Sequence, residues 1–327
     1  MNAALLASEA GYHARAAEAW ARAARGLSGG EAREARLRGA EERLASGDAR
    51  AAGRDLDGWL GEQAGSDALT VRAWSARAEA AARVNDRGTR ERALARAVET
   101  HRALGAGDGS SAVLAANAAL ALAELRAEGF TPARIHVAQR PTVRESVEEL
   151  ARTVRADAAR VRPLIEAYDE AIAIGHAPVT AAALTRQGEL YEALVRGVLA
   201  AEVEPPRDVA RALRGASAGA QREARAQFAD AIRAQLDELV RPVECRAVER
   251  YVLATRLSRR LGAASEDVDH AHARLAAYGE ERVADCLREA TERDASFAPY
   301  APGELDRARP GRVGLPREGT APPALAR

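Results

Sequence analysis

The residues able to do chemistry are few and scattered. There are six histidines, His13, His101, His136, His176, His270 and His272, and two cysteines, Cys245 and Cys286. No histidine stands at a metal-ligand spacing from a cysteine. His270 and His272 cluster with Asp267 and Asp269 in sequence, but residues two apart on a helix point away from each other. No metal site is therefore expected. Nucleophilic catalysis needs a serine or cysteine held beside a base, and no Gly-x-Ser-x-Gly sequence occurs. The chain has no lysine, which excludes a phosphate-cradling loop ending in Gly-Lys-Ser or Gly-Lys-Thr. Carboxylate pairs such as Glu148-Glu149 and Glu280-Glu281 are interleaved with arginine and read as charged helix faces. The expectation is a protein with no catalytic residues and no cofactor.

The cysteines leave two readings open. If their helices form an antiparallel hairpin turning near Gly262 to Ala264, both lie at a similar distance from the turn. The offset between them is then about 7 Å at about 1.5 Å per residue, close to the limit for a disulfide. The other reading is two buried thiols, each packing as a small hydrophobe.

The elements that carry these residues are helices. Hydrophobic residues make up 47% of the 327-residue chain, but aromatics only 4%, because alanine supplies most of the apolar count. Alanine loses no side-chain entropy in a helix and lets two helices approach closely. Strand formers are scarce, so the fold class is all-α. The 48 basic residues equal the 48 acidic ones, and the two signs alternate. That balance argues against nucleic acid, which selects a basic excess on one face, and against an anionic membrane surface. No apolar run reaches the about 20 residues needed to span a bilayer. The first residues lack the charged and apolar regions of a signal peptide. The chain is expected to be cytoplasmic if its N-terminus is complete, and periplasmic or envelope-bound if a signal peptide precedes it.

Helical periodicity runs from residue 2 to about 292 and divides into four stretches. Residues 1–128 read as helical hairpins and residues 129–142 as a linker. Residues 143–294 form a second helical region with long helices, and residues 295–327 a Pro/Gly/Arg-rich disordered tail. In the second region Pro141 opens a long helix to Ile174, with a kink expected at Pro163. A polar helix is expected from Gly219 to Val240. Pro242 is expected to restart the chain in a separate helix to Leu261, and Ser265 to cap a final helix to Arg293.

A longer period lies over the first stretch. Gly11 is followed by Ala16, Trp20 and Ala23; Gly47 by Ala52, Leu56 and Trp59; Asn85 by Arg90, Leu94 and Ala97. The offsets agree each time, and the anchors lie 36 and 38 residues apart. Ala4, Ala40 and Ala78 each stand seven residues before an anchor. This layout resembles the tetratricopeptide repeat, in which helix A and helix B of each unit meet through small residues. Arg90 departs from the pattern, and the period exceeds the usual about 34 residues. Further on, Gly188-Glu-Leu-Tyr191 has the spacing of a repeat helix A. The order of features over residues 130–292 is similar to that of envelope-associated and gliding-motility-linked repeat proteins of GC-rich bacteria.

The resemblance implies an α-solenoid of antiparallel hairpins wound into a right-handed superhelix. It also implies a wall lined from helix A positions: Arg72, Ser75, Glu79 and Arg83 in the third unit, and Glu189 and Glu192 beside Gly188. Arg72 and Arg83 carry forked donors suited to a carboxylate or an extended peptide; ordinary solvated side chains are the other reading. Asn117, in the otherwise apolar helix from Val113 to Leu125, suits either a peptide backbone or a local bond. The expected function is a scaffold that binds protein or peptide partners in a multiprotein assembly, one in the bacterial envelope if a signal peptide precedes the chain. A helical sensory or regulatory module, separated from a larger kinase, cyclase or transcription factor, is the second expectation.

Overall fold

The computed structural model describes residues 1–62, 67–105, 109–262 and 264–293, and the tail expected over 295–327 lies outside them. The described residues are almost wholly helical. They fall into two compact units, residues 1–128 with 173–176, and residues 129–172 with the chain from 177 onward.

The first unit contains α1 (Asn2–Glu9), α2 (His13–Gly26), α3 (Gly29–Ala45), α4 (Ala49–Gly61), α5 (Ala68–Arg83), α6 (Arg87–Leu104) and α7 (Gly109–Ala127). Each packs on its neighbour in sequence, and α3, α5 and α7 also pack alternately on one another. Three residues at the turns explain where successive helices stop. Gly11, Gly47 and Asn85 take left-handed backbone, with φ of 76°, 96° and 57°. That conformation stops one helix and turns the chain toward the next. Among the described residues Asn85 is the sole non-glycine with positive φ. Aspartates then cap the helices that follow. Asp48 accepts from the Ala51 amide, Asp67 from Thr70 and Asp86 from Thr89, each satisfying an N–H with no partner inside the helix.

The repeated small residues lie where helices meet. Ala4, Ala16, Ala40, Ala52, Ala78 and Ala97 are all buried, as are Trp20, Leu56 and Leu94 at the large position. A side chain is missing at Gly39 where the Trp20 Cβ passes 3.4 Å from the place its own Cβ would occupy.

The second unit begins with β1 (His136–Val137), followed by α8 (Val143–Ile174), α9 (Ala177–Leu199) and β2 (Glu202–Val203). The helices α10 (Arg207–Ala212), α11 (Ala218–Leu261), α12 (Glu266–Tyr278) and α13 (Glu280–Arg293) follow. The helix α9 is buried on most of its circumference, with α11 and α12 packed against it. The α11–α9 approach depends on Gly188, where an added Cβ would come 2.5 Å from the Tyr251 ring.

Two expectations about helix ends are corrected. Pro242 does not divide its region: α11 runs unbroken for 44 residues, about 66 Å at the usual rise. Proline removes one backbone bond and crowds the carbonyl four residues back. Here Val240, Cys245 and Val248 are buried on either side of it, and Arg241 ties to Glu289 at 3.0 Å, so packing holds the helix through the fault. Conversely, the final helix is broken. Gly279, with φ of 79°, separates α12 from α13.

The segment 129–142 is firmly held within its unit. The buried carboxylate of Asp157 accepts the Ala133 amide at 3.2 and 3.3 Å and pairs with Arg160 at 2.7 Å. Pro132 fills the space that a side chain at residue 197 would take, because that residue is glycine. β1 pairs in parallel with β2, His136 opposite Glu202 and Val137 opposite Val203.

Candidate interaction surface

The residues expected on the wall of the first unit lie on α5 and α7, and two of them, Arg72 and Arg83, reach partners on α3. Arg72 meets Glu41 with both arms of its guanidinium, Nε at 2.6 Å. Burial raises the Glu41 carboxyl above its ordinary value, and Arg72 offsets only part of that. Arg83 pairs with Glu79 at 2.6 Å and donates to the Leu44 carbonyl. The Ser75 hydroxyl donates to the Val71 carbonyl at 3.0 Å. Asn117 is exposed on α7, one turn after the exposed Val113. The arginine forks are thus already engaged. A carboxylate ligand would have to replace Glu79 on Arg83, an exchange between exposed charges that costs little. Displacing the more buried Glu41 from Arg72 costs more.

Arginines also cover the tryptophans. Arg33 lies 5.0 Å from the Trp59 ring centre, Arg38 5.3 Å from Trp20 and Arg96 5.8 Å from Trp74. These are cation–π distances. Arg33 also pairs with Asp67 at 2.8 Å, while Trp59 Nε1 donates to the Arg33 carbonyl at 2.9 Å. Burial alone would raise the Asp67 carboxyl, but bonds from Thr70 and Arg33 bring it below its ordinary value. The arginine–tryptophan contacts and the Arg33–Asp67 pair have no signature in sequence, since their partners lie on different elements.

In the second unit Glu192 is not on an open wall, contrary to expectation. It is 5% exposed and accepts from Arg274 Nε at 3.0 Å through both oxygens. Arg196 lies 3.8 Å from it. The reason is that α9 is central rather than lateral, so a turn of it that faces one neighbour faces another within a few residues. Burial, and then the charge of Glu192, push the Tyr251 and Tyr278 phenols above their ordinary value. Glu189 is half-buried and pairs with Arg186 and with His270 Nε2, both at 3.1 Å. Arg186 in turn reaches Asp267 at 3.2 Å. This polar seam fastens α12 to α9.

Cys245 and Cys286 are joined by a disulfide, with Cα atoms 4.8 Å apart. The break at Gly279 replaces the two-helix hairpin assumed for them, and α13 lies on α11 with its own register.

Two features were not anticipated. His101 Nδ1 lies 2.7 Å from the Ser111 hydroxyl, the nucleophile-and-base geometry of hydrolytic enzymes. Ser111 is 0% exposed, so no substrate reaches it in this conformation, and the bond ties α6 to α7. The second is a shallow cleft of about 460 Å³ beside β1 and β2, lined by Thr131, Arg134, Arg196, Gly197, Ala200 and Glu202 among others. Alternating Ile135 and Val137 between polar residues was its sequence signal, though a weak one over so few residues.

Among the described residues no group of three or more His, Cys, Asp or Glu side chains is arranged to hold a metal. None of their helices is long and apolar enough to cross a membrane. No protein-family model matches the chain, and no curated protein is similar to it.

Proposed function

We propose that the chain is a non-catalytic scaffold of tetratricopeptide type, in which stacked helical hairpins form a solenoid that binds other polypeptides in an assembly. The observation that carries this reading is the recurrence at Gly11, Gly47 and Asn85. The three share left-handed backbone, and a buried alanine seven residues before and a buried large residue nine after recur at each. Hairpins related in this way stack in series, since each buries its open face on the next. Such a stack leaves the alternate helices α3, α5 and α7 as a row. Arg83, Glu79 and Asn117 are its accessible polar positions, with Arg72 and Ser75 behind them. Side chains of both signs and an amide suit a peptide better than a small apolar ligand.

The test is recovery of partners from the source cell by the intact chain and by an Arg83→Glu, Asn117→Arg variant. These two substitutions leave the Arg72–Glu41 pair alone. At least one partner is expected to fall about tenfold in the variant, as loss of one or two well-placed contacts implies. Equal recovery of every partner would remove the wall from the proposal.

A further inference from the structure

The pairing of β1 with β2 is an unusual thing to leave exposed. Parallel strands form weaker ladders than antiparallel ones, and parallel sheets are normally covered. A two-stranded sheet has little independent stability. Here the chain spends two short segments, 66 residues apart in register, on such a pair. Glu202 donates its amide to the Ile135 carbonyl and Glu204 to the Val137 carbonyl, both at 2.9 Å. Backbone groups of successive residues in a strand point to opposite edges. The bonding groups of Ile135 and Val137 therefore face β2, and those of His136 and Ala138 face the other way. Among the described residues neither His136 nor Ala138 finds a backbone partner on that side, and both are exposed. An edge of this kind is a template for another strand.

The side chains define what such a strand must carry. Ile135 and Val137 point inward and are buried, 1% exposed each. Arg134 and His136 point outward. On the β2 side they meet carboxylates: Arg134 bonds Glu202 at 2.7 Å, and His136 Nε2 lies 3.3 Å from Glu204. Val203, between the two glutamates, is half-buried. Glu-Val-Glu is thus the pattern that β1 already accepts on one edge.

We propose that the outer edge of β1 is a docking site for an extended acidic segment of another protein, with carboxylates at alternate positions facing Arg134 and His136. The segment adds as a third strand. Its backbone bonds His136 and Ala138, its carboxylates extend the charge pairing outward, and its intervening small apolar residues continue the inner face. This site lies wholly within the second unit and does not depend on the wall of α3, α5 and α7.

The test uses the intact chain and a fluorescent synthetic copy of residues 198–206, which contains Glu-Val-Glu. Saturable binding is expected by fluorescence polarisation. Exchanging both glutamates for arginine replaces two attractive cross-strand pairs by repulsive ones and weakens binding roughly tenfold. Methylating alternate peptide nitrogens abolishes binding in one phase of the alternation and spares it in the other, because only one side of an added strand bonds β1. Ala138→Pro removes an outward donor, leaves the inward bonds to β2 in place, and abolishes binding with helicity unchanged by circular dichroism. Absence of saturable binding, or indifference to the methylation phase, overturns the proposal. So does undiminished binding to Ala138→Pro, which would mean that the peptide displaces β2 instead of joining β1.

Discussion

At residue 188 a single hydrogen atom decides how closely α11 can lie on α9. Alanine there would gain about 1 kcal/mol in helix propensity. Its Cβ would also stand 2.5 Å from a buried tyrosine ring, an overpacking that costs about 1–3 kcal/mol. Gly58, in exposed α4 surface with nothing near its Cβ position, carries the propensity term alone. Urea unfolding should therefore show Gly188→Ala less stable than the parent and Gly58→Ala more stable, by up to about 1 kcal/mol. The same sign at both positions would contradict the packing described. The spacing of Gly188 and Tyr191 was visible in the sequence, but Tyr251, the partner that makes the glycine necessary, was not. The wall arginines show the same limit. Residue types suggested donors at Arg72 and Arg83, while the pairing with Glu41 and the Leu44 carbonyl depends on which helices meet. Glu192 reads as a surface charge by type and is buried because of where α9 sits.

Among the elements, α13 owes its place to more than one kind of tie. The disulfide joins it to α11, and Arg282 with Glu244, Arg241 with Glu289 and Arg293 with Glu249 bridge the same pair of helices. The exposed Arg241–Glu289 pair contributes little by itself, whereas Glu249 is buried. A cross-link over a sequence separation of 41 residues removes about 4 kcal/mol of unfolded-state entropy on the chain-entropy account. Reduction, or Cys245→Ala with Cys286→Ala, should lower the unfolding midpoint and raise amide exchange in α13 first. Unchanged exchange in α13 after reduction would show that packing alone holds it. Helix ends were legible where a residue type has a fixed backbone consequence, as at Gly11, Gly47 and Asn85. Pro242 misled because buried neighbours on both sides outweigh the lost bond. Gly279 was overlooked inside a strongly charged, helix-favouring stretch. β1 and β2 escaped because two residues are too few to set a period, and their pairing joins residues 66 apart in sequence.

The chain carries equal numbers of arginines and acidic residues, and among the described residues many of them pair, some between helices and some one turn apart on the same helix. The all-helical class was legible from composition, since alanine-rich, strand-poor sequence leaves few other ways to bury a core. The break near residue 129 was legible from Gly129 and Pro132, but not that Asp157 pins the segment after it. Under the proposed reading, partner choice would rest on the surface that α3, α5 and α7 form together, which single residues do not disclose. Photo-crosslinking reads that surface directly. A photoreactive amino acid placed at Glu79 or Asn117, on the proposed wall, should give covalent adducts with other polypeptides in the cell. The same group at Arg50 or Arg54, on the exposed face of α4, should give none. Adducts missing from both wall positions, or equally abundant at all four, would contradict a protein-binding wall on α5 and α7.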